Sequence, residues 1–444
     1  MKRRKFISLT GAGIAGTTLL SSAPVKIQGS EVRLTFGHGP DDSGTIQALI
    51  DKFNERHKDE IRVSWKTMSR LSNVYHQQLA SDFNVESGEV EVFTADVPWT
   101  AEFSSKKWIS EITKDFYRDY TPEDFLTNTL KSTYYNYRMW GVPWYTDIGL
   151  LFYRRDLLEK SGFDGPPKTW TELTSMAKKT KSATGIRHGF VFQGAEYEGG
   201  VANALEYIWN AGGKVLTGNI SVAGSFGQRV IDPNVITVNS TNAAQGLMSA
   251  RNLIKQGVTP RAVVNYSEME SWQDFVSGNA VFMRNWPFAL GNLGDPELYK
   301  LEREQVGIAA IPTLGTSNRS YSCQGGWNLM INRYTSDRKK EAAWKFIRFM
   351  TAPEQQKYMA INGGFLPTYR RLYDDSEILQ VMPSIGEGKS ILENARVRPM
   401  TPFYQQMAPR ISRSFNRVLR GETSGTAAVA VLERELRTVL RKNR

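Results

Sequence analysis

The chain has 444 residues, of which 40% are hydrophobic and 11% aromatic, which is enough for two or three ordinary domains with a sizeable core. Its formal charge is +11, but residues 1–28 carry +5 and residues 410–444 carry +6, so the body between them is neutral. A protein that binds nucleic acid needs a basic face on its folded core. The sequence therefore gives no support for nucleic acid as a partner.

The first 29 residues have the pattern of an export signal rather than of a folded element. The letters RRKFI at residues 3–7 resemble the twin-arginine signal, in which two arginines, any residue and a bulky apolar pair follow one another. The apolar stretch behind them is too short and interrupted to predict a membrane span. We expect residues 1–29 to direct export by the twin-arginine route to the periplasm or another extracytoplasmic space.

Cysteine and histidine usage excludes several kinds of chemistry. Cys323 is the only cysteine, so no intramolecular disulfide can form and no cysteine-based metal or redox motif exists. The four histidines show no metal-ligand spacing such as H-x-x-x-H. We therefore predict neither a metal nor a cofactor.

Strand and helix patterns alternate from the start of the mature chain. Residues 32–36 alternate as a strand does, residues 46–53 repeat at helical spacing, and further strands are predicted at 61–65 and 90–93 with a helix between them. This β-α-β-α-β order predicts a parallel, doubly wound sheet. Ligands of such sheets lie beyond the carboxyl ends of the strands, where Asp96 falls.

The segment 140–158 is predicted to carry the chain from one lobe to another. It begins with an aromatic turn, continues as an apolar strand over 148–153 and ends in a charged segment that suits a helix start. Tyr145 and Asp147 stand at this crossing, and small-molecule sites tend to form at such junctions. A second α/β set follows.

Further crossings complete the predicted domain organisation. A strand at 280–284 leads into the rigid turn around Trp286, and the glycine pair before Trp327 lets the backbone approach a neighbour closely. We expect two discontinuous lobes. The first comprises residues 30–147 with about 285–350, and the second comprises residues 148–284 with about 351–444.

Eight motifs carry a resemblance to a known family. They are ADVPWTAEFSSKKWI, GVPWYTDIGLLFYRRDLL, PPKTWTEL, AVFMRNWPF, GGWNLMIN, AAWKFIRFMTAPEQQ, GGFLPT and RPMTPFY, and they stand in family order over nearly all of residues 31–444. The chain resembles a bacterial extracellular solute-binding protein of family 1, the carbohydrate class, which is the receptor component of an ABC sugar importer. It is most similar to the trehalose/maltose-binding branch.

The resemblance implies a fold and a set of site residues. The fold is the α/β, two-lobe periplasmic binding protein fold of type II, like that of maltose-binding protein, with a hinge and a ligand cleft between the lobes. The positions that match the family's ligand-lining residues are Asp96, Tyr145, Asp147, Trp286, Gly326, Trp327 and Arg398.

The chemistry of these residues suits a sugar. Asp96, Asp147 and Arg398 can make charge-assisted, bidentate hydrogen bonds with hydroxyls, and Trp286 and Trp327 can stack on the apolar face of a sugar ring. Structural alternatives stay open: the tryptophans can be core residues, Asp96 can cap a helix, and Arg398 can pair with an acid of the other lobe. Polar contacts near residues 41–43 and 75–76 are not assigned.

The predicted function is binding without catalysis. A disaccharide such as trehalose or maltose, or a similar glycoside, is captured between the lobes of a monomer and handed to a membrane permease. Two alternatives remain: the same fold binding a glycerol-phosphodiester, which calls for more cationic groups than Arg398 alone, and a glycoside hydrolase that uses Asp96 and Asp147 as its carboxylate pair. The sequence does not identify the sugar.

Overall fold

A computed structural model of the chain describes residues 31–217, 235–291, 301–315, 319–382 and 384–442. The predicted export signal, residues 1–29, lies outside these ranges. No helix within them is long and apolar enough to cross a membrane.

The described part of the chain alternates strands and helices throughout. The strands are β1 (Val32–His38), β2 (Ile61–Thr67), β3 (Val92–Asp96), β4 (Tyr134–Tyr135), β5 (Arg138–Met139), β6 (Val142–Ile148), β7 (Leu150–Arg154), β8 (His188–Val191), β9 (Leu216–Thr217), β10 (Val235–Ile236), β11 (Ala280–Asn285), β12 (Val306–Ala309) and β13 (Gln324–Ile331). The α-helices are α1 (Thr45–Arg56), α2 (Ser72–Asn84), α3 (Thr100–Ser105), α4 (Thr113–Asp119), α5 (Thr127–Thr133), α6 (Arg155–Lys160), α7 (Trp170–Thr184), α8 (Glu198–Trp209), α9 (Thr241–Lys255), α10 (Glu268–Val276), α11 (Phe288–Gly291), α12 (Asp337–Met350), α13 (Pro353–Gly363), α14 (Ser376–Val381), α15 (Ser384–Glu393), α16 (Tyr404–Arg420) and α17 (Gly425–Lys442).

The first lobe is built on a five-stranded sheet in the order β2-β1-β3-β13-β6. β2, β1 and β3 are parallel, as the β-α-β-α-β pattern predicts. β13 runs antiparallel to both of its neighbours, β3 and β6, so the complete sheet is mixed. Asp96 is the last residue of β3 and lies opposite Trp327 of β13.

The second lobe is built on a four-stranded sheet in the order β12-β7-β11-β8. β7 and β11 are antiparallel, and β11 and β8 are parallel. Helices α8, α9, α16 and α17 pack on one another beside this sheet. The apolar face of α17 is buried there, with Leu432 and Leu436 at most 1% exposed, which is typical of an amphipathic helix packed on a core.

Three connections between the lobes lie side by side and form the hinge. The Gly149 N–H, between β6 and β7, donates to the Cys323 carbonyl oxygen at 3.0 Å. The Gln324 N–H donates to the Arg396 carbonyl oxygen at 2.8 Å, and the Arg396 N–H donates to the Ser322 carbonyl oxygen at 2.9 Å. The hinge is therefore a short hydrogen-bonded ladder rather than three independent linkers.

The predicted lobe boundaries differ from the structure in two places. Strand β12, predicted for the first lobe within 285–350, pairs with β7 in the second sheet. Helix α13, predicted for the second lobe, packs against α1 and α12, and Met359 joins the core of Ile46 and Phe53. Periodicity identifies an element but not the sheet that it joins. The structure brings the chain back to the second-lobe helices only at α16.

Candidate functional site

A cavity of about 250 Å³ lies where the two lobes meet. All seven residues predicted for the ligand site line it: Asp96, Tyr145, Asp147, Trp286, Gly326, Trp327 and Arg398. The first-lobe sheet supplies most of them, β11 leads directly to Trp286, and the extended segment after α15 supplies Arg398. The structure thus brings the seven together, and their contact with a ligand stays a prediction.

Arg398 joins the two lobes at the edge of the cavity. Its Nη1 donates to Asp96 Oδ2 at 3.0 Å and to Glu198 Oε1 at 2.6 Å, and its Nη2 donates to Asp96 Oδ1. Asp96 belongs to the first sheet, whereas Glu198 begins α8 of the second lobe. Of the two possibilities that the sequence leaves open, the structure shows the ion pair with an acid across the lobes. We call Arg398, Asp96 and Glu198 the interlobe clamp.

Asp147 differs from the other acids because its carboxyl makes no hydrogen bond to any described residue. Burial, with the nearby charge of Asp96 as a second cause, raises the pKa of Asp147 from 3.8 to about 8. Below that pH the carboxyl is mainly protonated. Asp147 can therefore donate a hydrogen bond as well as accept one, whereas the sequence suggests a charged acceptor.

Trp327 forms the first-lobe aromatic wall of the cavity. Its ring stacks on Tyr75 with ring centroids 5.6 Å apart and 24° between the planes, and it meets Trp99 and His38 edge-on. The Tyr75 hydroxyl donates to the Gly37 carbonyl oxygen at 2.7 Å, which fixes the stack. Tyr75 does not line the cavity, so it supports Trp327 from behind.

Trp286 forms the second-lobe aromatic wall. The guanidinium carbon of Arg284 lies 3.9 Å from the Trp286 ring centroid. The Trp286 Nε1 donates to Glu268 Oε1 at 3.2 Å, and the Tyr197 hydroxyl donates to Glu268 Oε2 at 2.6 Å. One ring face and the ring N–H of Trp286 are thus already held by protein groups.

The backbone conformation and close packing at Gly326 require glycine. Its φ is +116°, and a Cβ at this position would lie 2.6 Å from the Tyr145 carbonyl oxygen and 2.7 Å from Thr146 Cα. Any other residue would be strained there. The close approach predicted for the glycine pair is therefore an approach to β6, and Gly326 still lines the cavity beside Tyr145.

The unassigned first-lobe positions divide into two groups. Asp41 and Ser43 line the cavity, and Asp41 Oδ2 accepts the Ile46 N–H at 2.8 Å near the start of α1. His76 lies elsewhere: it is buried, and its Nε2 is 2.8 Å from Glu102 Oε2. His76 therefore has an internal partner and no place in the cavity.

Acidic groups dominate the charge of the cavity. Among the described residues its lining includes the carboxyl groups of Asp41, Asp42, Asp96, Asp147, Glu198 and Glu268, and the arginines Arg70 and Arg398. Arg70 pairs with Asp42 at 2.8 Å, and Arg398 is held in the interlobe clamp. Neither arginine is left without an acidic partner. No cluster of three or more metal-binding side chains occurs in the described ranges.

The sequence pattern does not reveal the two acids of the second lobe that line the cavity, or the groups that hold them. Glu198 and Glu268 are the first residues of α8 and α10, and neither belongs to a motif that points to a ligand. A signal for Glu268 exists, because Ser267 and Glu270 form a capping box that fixes the start of α10. No local pattern reveals that Glu198 meets Arg398.

The fold and the cavity together define a two-lobed ligand-binding protein, in which a hinge joins two α/β lobes around a polar and aromatic cleft. The family model of bacterial extracellular solute-binding proteins matches residues 38–357, and the chain belongs to that family. The resemblance predicted from the motifs is thereby confirmed.

Individual relatives extend the match to nearly the whole chain. A probable ABC transporter-binding protein of Deinococcus radiodurans is 32% identical over 96% of this chain and 97% of its own length. The maltose-bound structure of T. maritima MalE3 is 34% identical with a TM-score of 0.83, covering 92% of this chain and all of that one. A ribitol-bound solute-binding protein of Agrobacterium radiobacter, 21% identical, has a TM-score of 0.78 over 93% of this chain and 99% of its own, and shares the fold.

Proposed function

We propose that this protein is the receptor of an ABC importer and captures an uncharged sugar between its lobes. The preferred ligand is a disaccharide such as maltose or trehalose, or a similar glycoside. The observation that carries the proposal is the cavity itself: aromatic walls from both lobes, Trp327 and Trp286, enclose a set of carboxyl groups.

The groups in the cavity match the two surfaces of a sugar. Hydroxyl groups need acceptors and donors, and Asp147 offers both because its carboxyl has no partner among the described residues and its pKa is about 8. The C–H face of a sugar ring needs an apolar plane, which Trp327 or Trp286 offers. Maltose-bound MalE3, at 34% identity over 92% of the chain, supports a disaccharide.

The charge of the cavity argues against a glycerol-phosphodiester. A phosphodiester is an anion and requires cationic donors that are free to meet it. Arg70 and Arg398 are both paired with acids, and Glu268 adds a further acidic group to the lining. An uncharged ligand avoids this repulsion.

The hydrogen bonds of Asp96 argue against a glycoside hydrolase. Both Asp96 oxygens accept from Arg398, and Oδ2 also accepts from the Ser72 hydroxyl at 2.7 Å. A carboxylate held in this way is a poor nucleophile or base, because attack or protonation would break these bonds. We therefore infer binding without cleavage.

Capture and delivery follow from the two-lobe design. A ligand that touches both walls favours the closed arrangement by as much as it binds that arrangement better. The closed monomer then docks on a membrane permease, which the likeness to the Deinococcus radiodurans relative supports. Residues 3–7 favour export by the twin-arginine route.

Thermal unfolding with a ligand panel tests the proposal. Maltose, trehalose, sucrose, glucose and glycerophosphocholine are each added to the chain from residue 30 onward, and each ligand is analysed for cleavage afterwards. A ligand at about 100 times its dissociation constant stabilises by about 2.7 kcal/mol. We expect a neutral saccharide to raise the midpoint, to remain intact and to lose its effect in Trp286→Ala.

The matched control is Trp140→Ala. Trp140 is half-buried, donates its Nε1–H to the Tyr135 carbonyl oxygen at 2.9 Å and does not line the cavity. A shift with glycerophosphocholine alone contradicts the sugar assignment, and release of glucose from maltose contradicts binding without cleavage.

A further inference from the structure

A buried ion pair lies against Trp286 without lining the cavity. Arg284 Nε donates to Glu206 Oε2 at 2.9 Å, and Arg284 Nη2 donates to Glu206 Oε1 at 2.8 Å. Both side chains are 2% exposed. The planar Arg284 guanidinium also stacks on the Trp286 ring at 3.9 Å, an arrangement that gains from cation–π attraction. The ion pair therefore supports one face of the second-lobe aromatic wall.

The same pair contacts two of the three hinge connections. The Cys323 N–H donates to Glu206 Oε1 at 2.9 Å, and the Cys323 carbonyl oxygen accepts from the Gly149 N–H. A Cβ on Gly149 would lie 1.8 Å from Glu206 Oε1 and 2.5 Å from Arg284 Nη2. The hinge backbone thus passes in direct contact with the ion pair.

Further hydrogen bonds fix Arg284 in this position. Its Nη1 donates to Gln193 Oε1 at 3.2 Å, and Gln193 Nε2 returns a hydrogen bond to the Arg284 carbonyl oxygen at 2.8 Å. Asn203 donates to the same Gln193 oxygen at 3.0 Å. A buried network satisfied in this way is rigid, so Trp286 rests on a plane with little freedom to turn.

We propose that Arg284 is a positioning residue that orients Trp286 for the ligand and, through Glu206, ties that orientation to the hinge. The part that concerns ligand rests on the proposed function. A ring already held in its binding orientation loses less conformational freedom when ligand arrives, which raises affinity. Lysine cannot replace Arg284, because it has neither a plane to stack on indole nor two parallel N–H groups for a carboxylate.

The test compares Arg284→Lys with a matched control, Arg154→Lys. Arg154, on the neighbouring strand β7, is 8% exposed and makes the same kind of two-point bond, to Asp156 at 2.8 and 2.5 Å. It does not line the cavity. Both substitutions therefore shorten a buried, paired arginine of the second sheet.

The first readout needs no ligand. The protein is labelled with 5-fluorotryptophan, and Trp286→Phe identifies the Trp286 signal among the eleven tryptophans in the ¹⁹F NMR spectrum. We expect Arg284→Lys to shift and broaden that signal while Arg154→Lys leaves it in place. An unchanged Trp286 signal in Arg284→Lys overturns the proposal.

The second readout is the dissociation constant for maltose, measured by calorimetry. It should rise about tenfold in Arg284→Lys and stay unchanged in Arg154→Lys, and equal losses in the two variants overturn a positioning role. If Arg284→Lys does not fold, the double variant Arg284→Gln with Glu206→Gln leaves no unpaired charge and is measured in the same way. If the wild type binds no sugar, the proposed function fails while the NMR result still decides the orientation of Trp286.

Discussion

Two buried arginines flank the cavity, and they differ in what they join. Arg398 is 3% exposed and binds Asp96 of one lobe and Glu198 of the other. Arg284 is 2% exposed and binds Glu206 within a single lobe. The first pair must change when the lobes separate, whereas the second can persist in every arrangement. Similar ion-pair chemistry thus serves as an interlobe contact in one place and as a fixed support in the other.

Because the pair of Arg284 and Glu206 lies within one lobe and can persist in every arrangement, we expect breaking it to cause the largest loss of stability. Glu206→Ala leaves the buried Arg284 charge without its partner, and breaking such a pair removes about 3–5 kcal/mol of unfolding free energy. Urea unfolding followed by circular dichroism measures this. Glu196→Ala is the control, because Glu196 pairs with Arg413 at 3.5 Å on the surface, where the loss is about 0–1 kcal/mol. Equal losses in Glu206→Ala and Glu196→Ala would contradict a larger contribution from the buried pair.

The interlobe clamp should be less costly to break. Arg398→Met is expected to lower the unfolding free energy by about 2–3 kcal/mol, less than Glu206→Ala, because Asp96 and Glu198 face a cavity that water can enter. Burial already raises the pKa of Glu198 above 4.5, and Arg398 opposes that rise. A raised folded-state pKa means stability that is present at low pH and lost as pH rises.

The pH dependence of Arg398→Met therefore has a definite sign. Its thermal midpoint should fall more steeply than that of the wild type between pH 5 and pH 8. A midpoint difference that is independent of pH would show that Glu198 remains ionised without the arginine.

Asp147 differs from the acids of both arginine pairs, because its carboxyl has no hydrogen-bond partner among the described residues. Its pKa is raised from 3.8 to about 8, so the ligand-free protein should lose stability as pH rises from 4 through 8. Asp147→Asn removes this loss. We expect the two stability curves to diverge by about 2 kcal/mol between pH 5 and pH 8. This is roughly half of the divergence over that interval at ~1.4 kcal/mol per pH unit, the slope that one proton gives, because Asp147 is only half-buried. Parallel curves would contradict the raised pKa.

The smallest effect is expected at the edge of the clamp. Ser72 donates to Asp96 Oδ2 at 2.7 Å, while Arg398 already satisfies the same carboxylate. Ser72→Ala should therefore lower the unfolding free energy by about 1 kcal/mol or less, measured by urea unfolding. A loss as large as that of Arg398→Met would mean that the serine, rather than the arginine, holds Asp96.

The sequence predicts the cavity lining better than the roles of its members. All seven predicted residues line one cavity. Motifs that occur in the family's order align these residues with the positions that line the family's cleft. Arg398 and Asp96, however, are separated by 302 residues, and no local pattern indicates that they bind each other. The support of Trp286 by Arg284 is likewise not predicted, although the two residues are nearly adjacent in the sequence, because the contact depends on how the chain leaves β11 after Asn285.

In the fold, too, the local elements are predicted from the sequence and the long-range contacts are not. Hydrophobic periodicity predicts strands β1 and β2 and their parallel pairing, since alternation and helical spacing are local properties. It misplaces β12 and α13, because the choice of sheet depends on which faces meet in three dimensions. The hinge ladder at Gly149, Cys323 and Arg396 also joins distant segments and could not be predicted from any one of them.

The most direct test of interlobe capture is a calorimetric titration with the sugar that gives the largest thermal shift. It is carried out on the wild type, Trp327→Ala and Trp286→Ala, which remove the first-lobe and second-lobe walls of the cavity in turn. We expect one site per chain in the wild type and at least tenfold weaker binding in each variant, since stacking on each wall contributes. Wild-type affinity in either variant, or no binding to any sugar, would contradict capture between the two lobes.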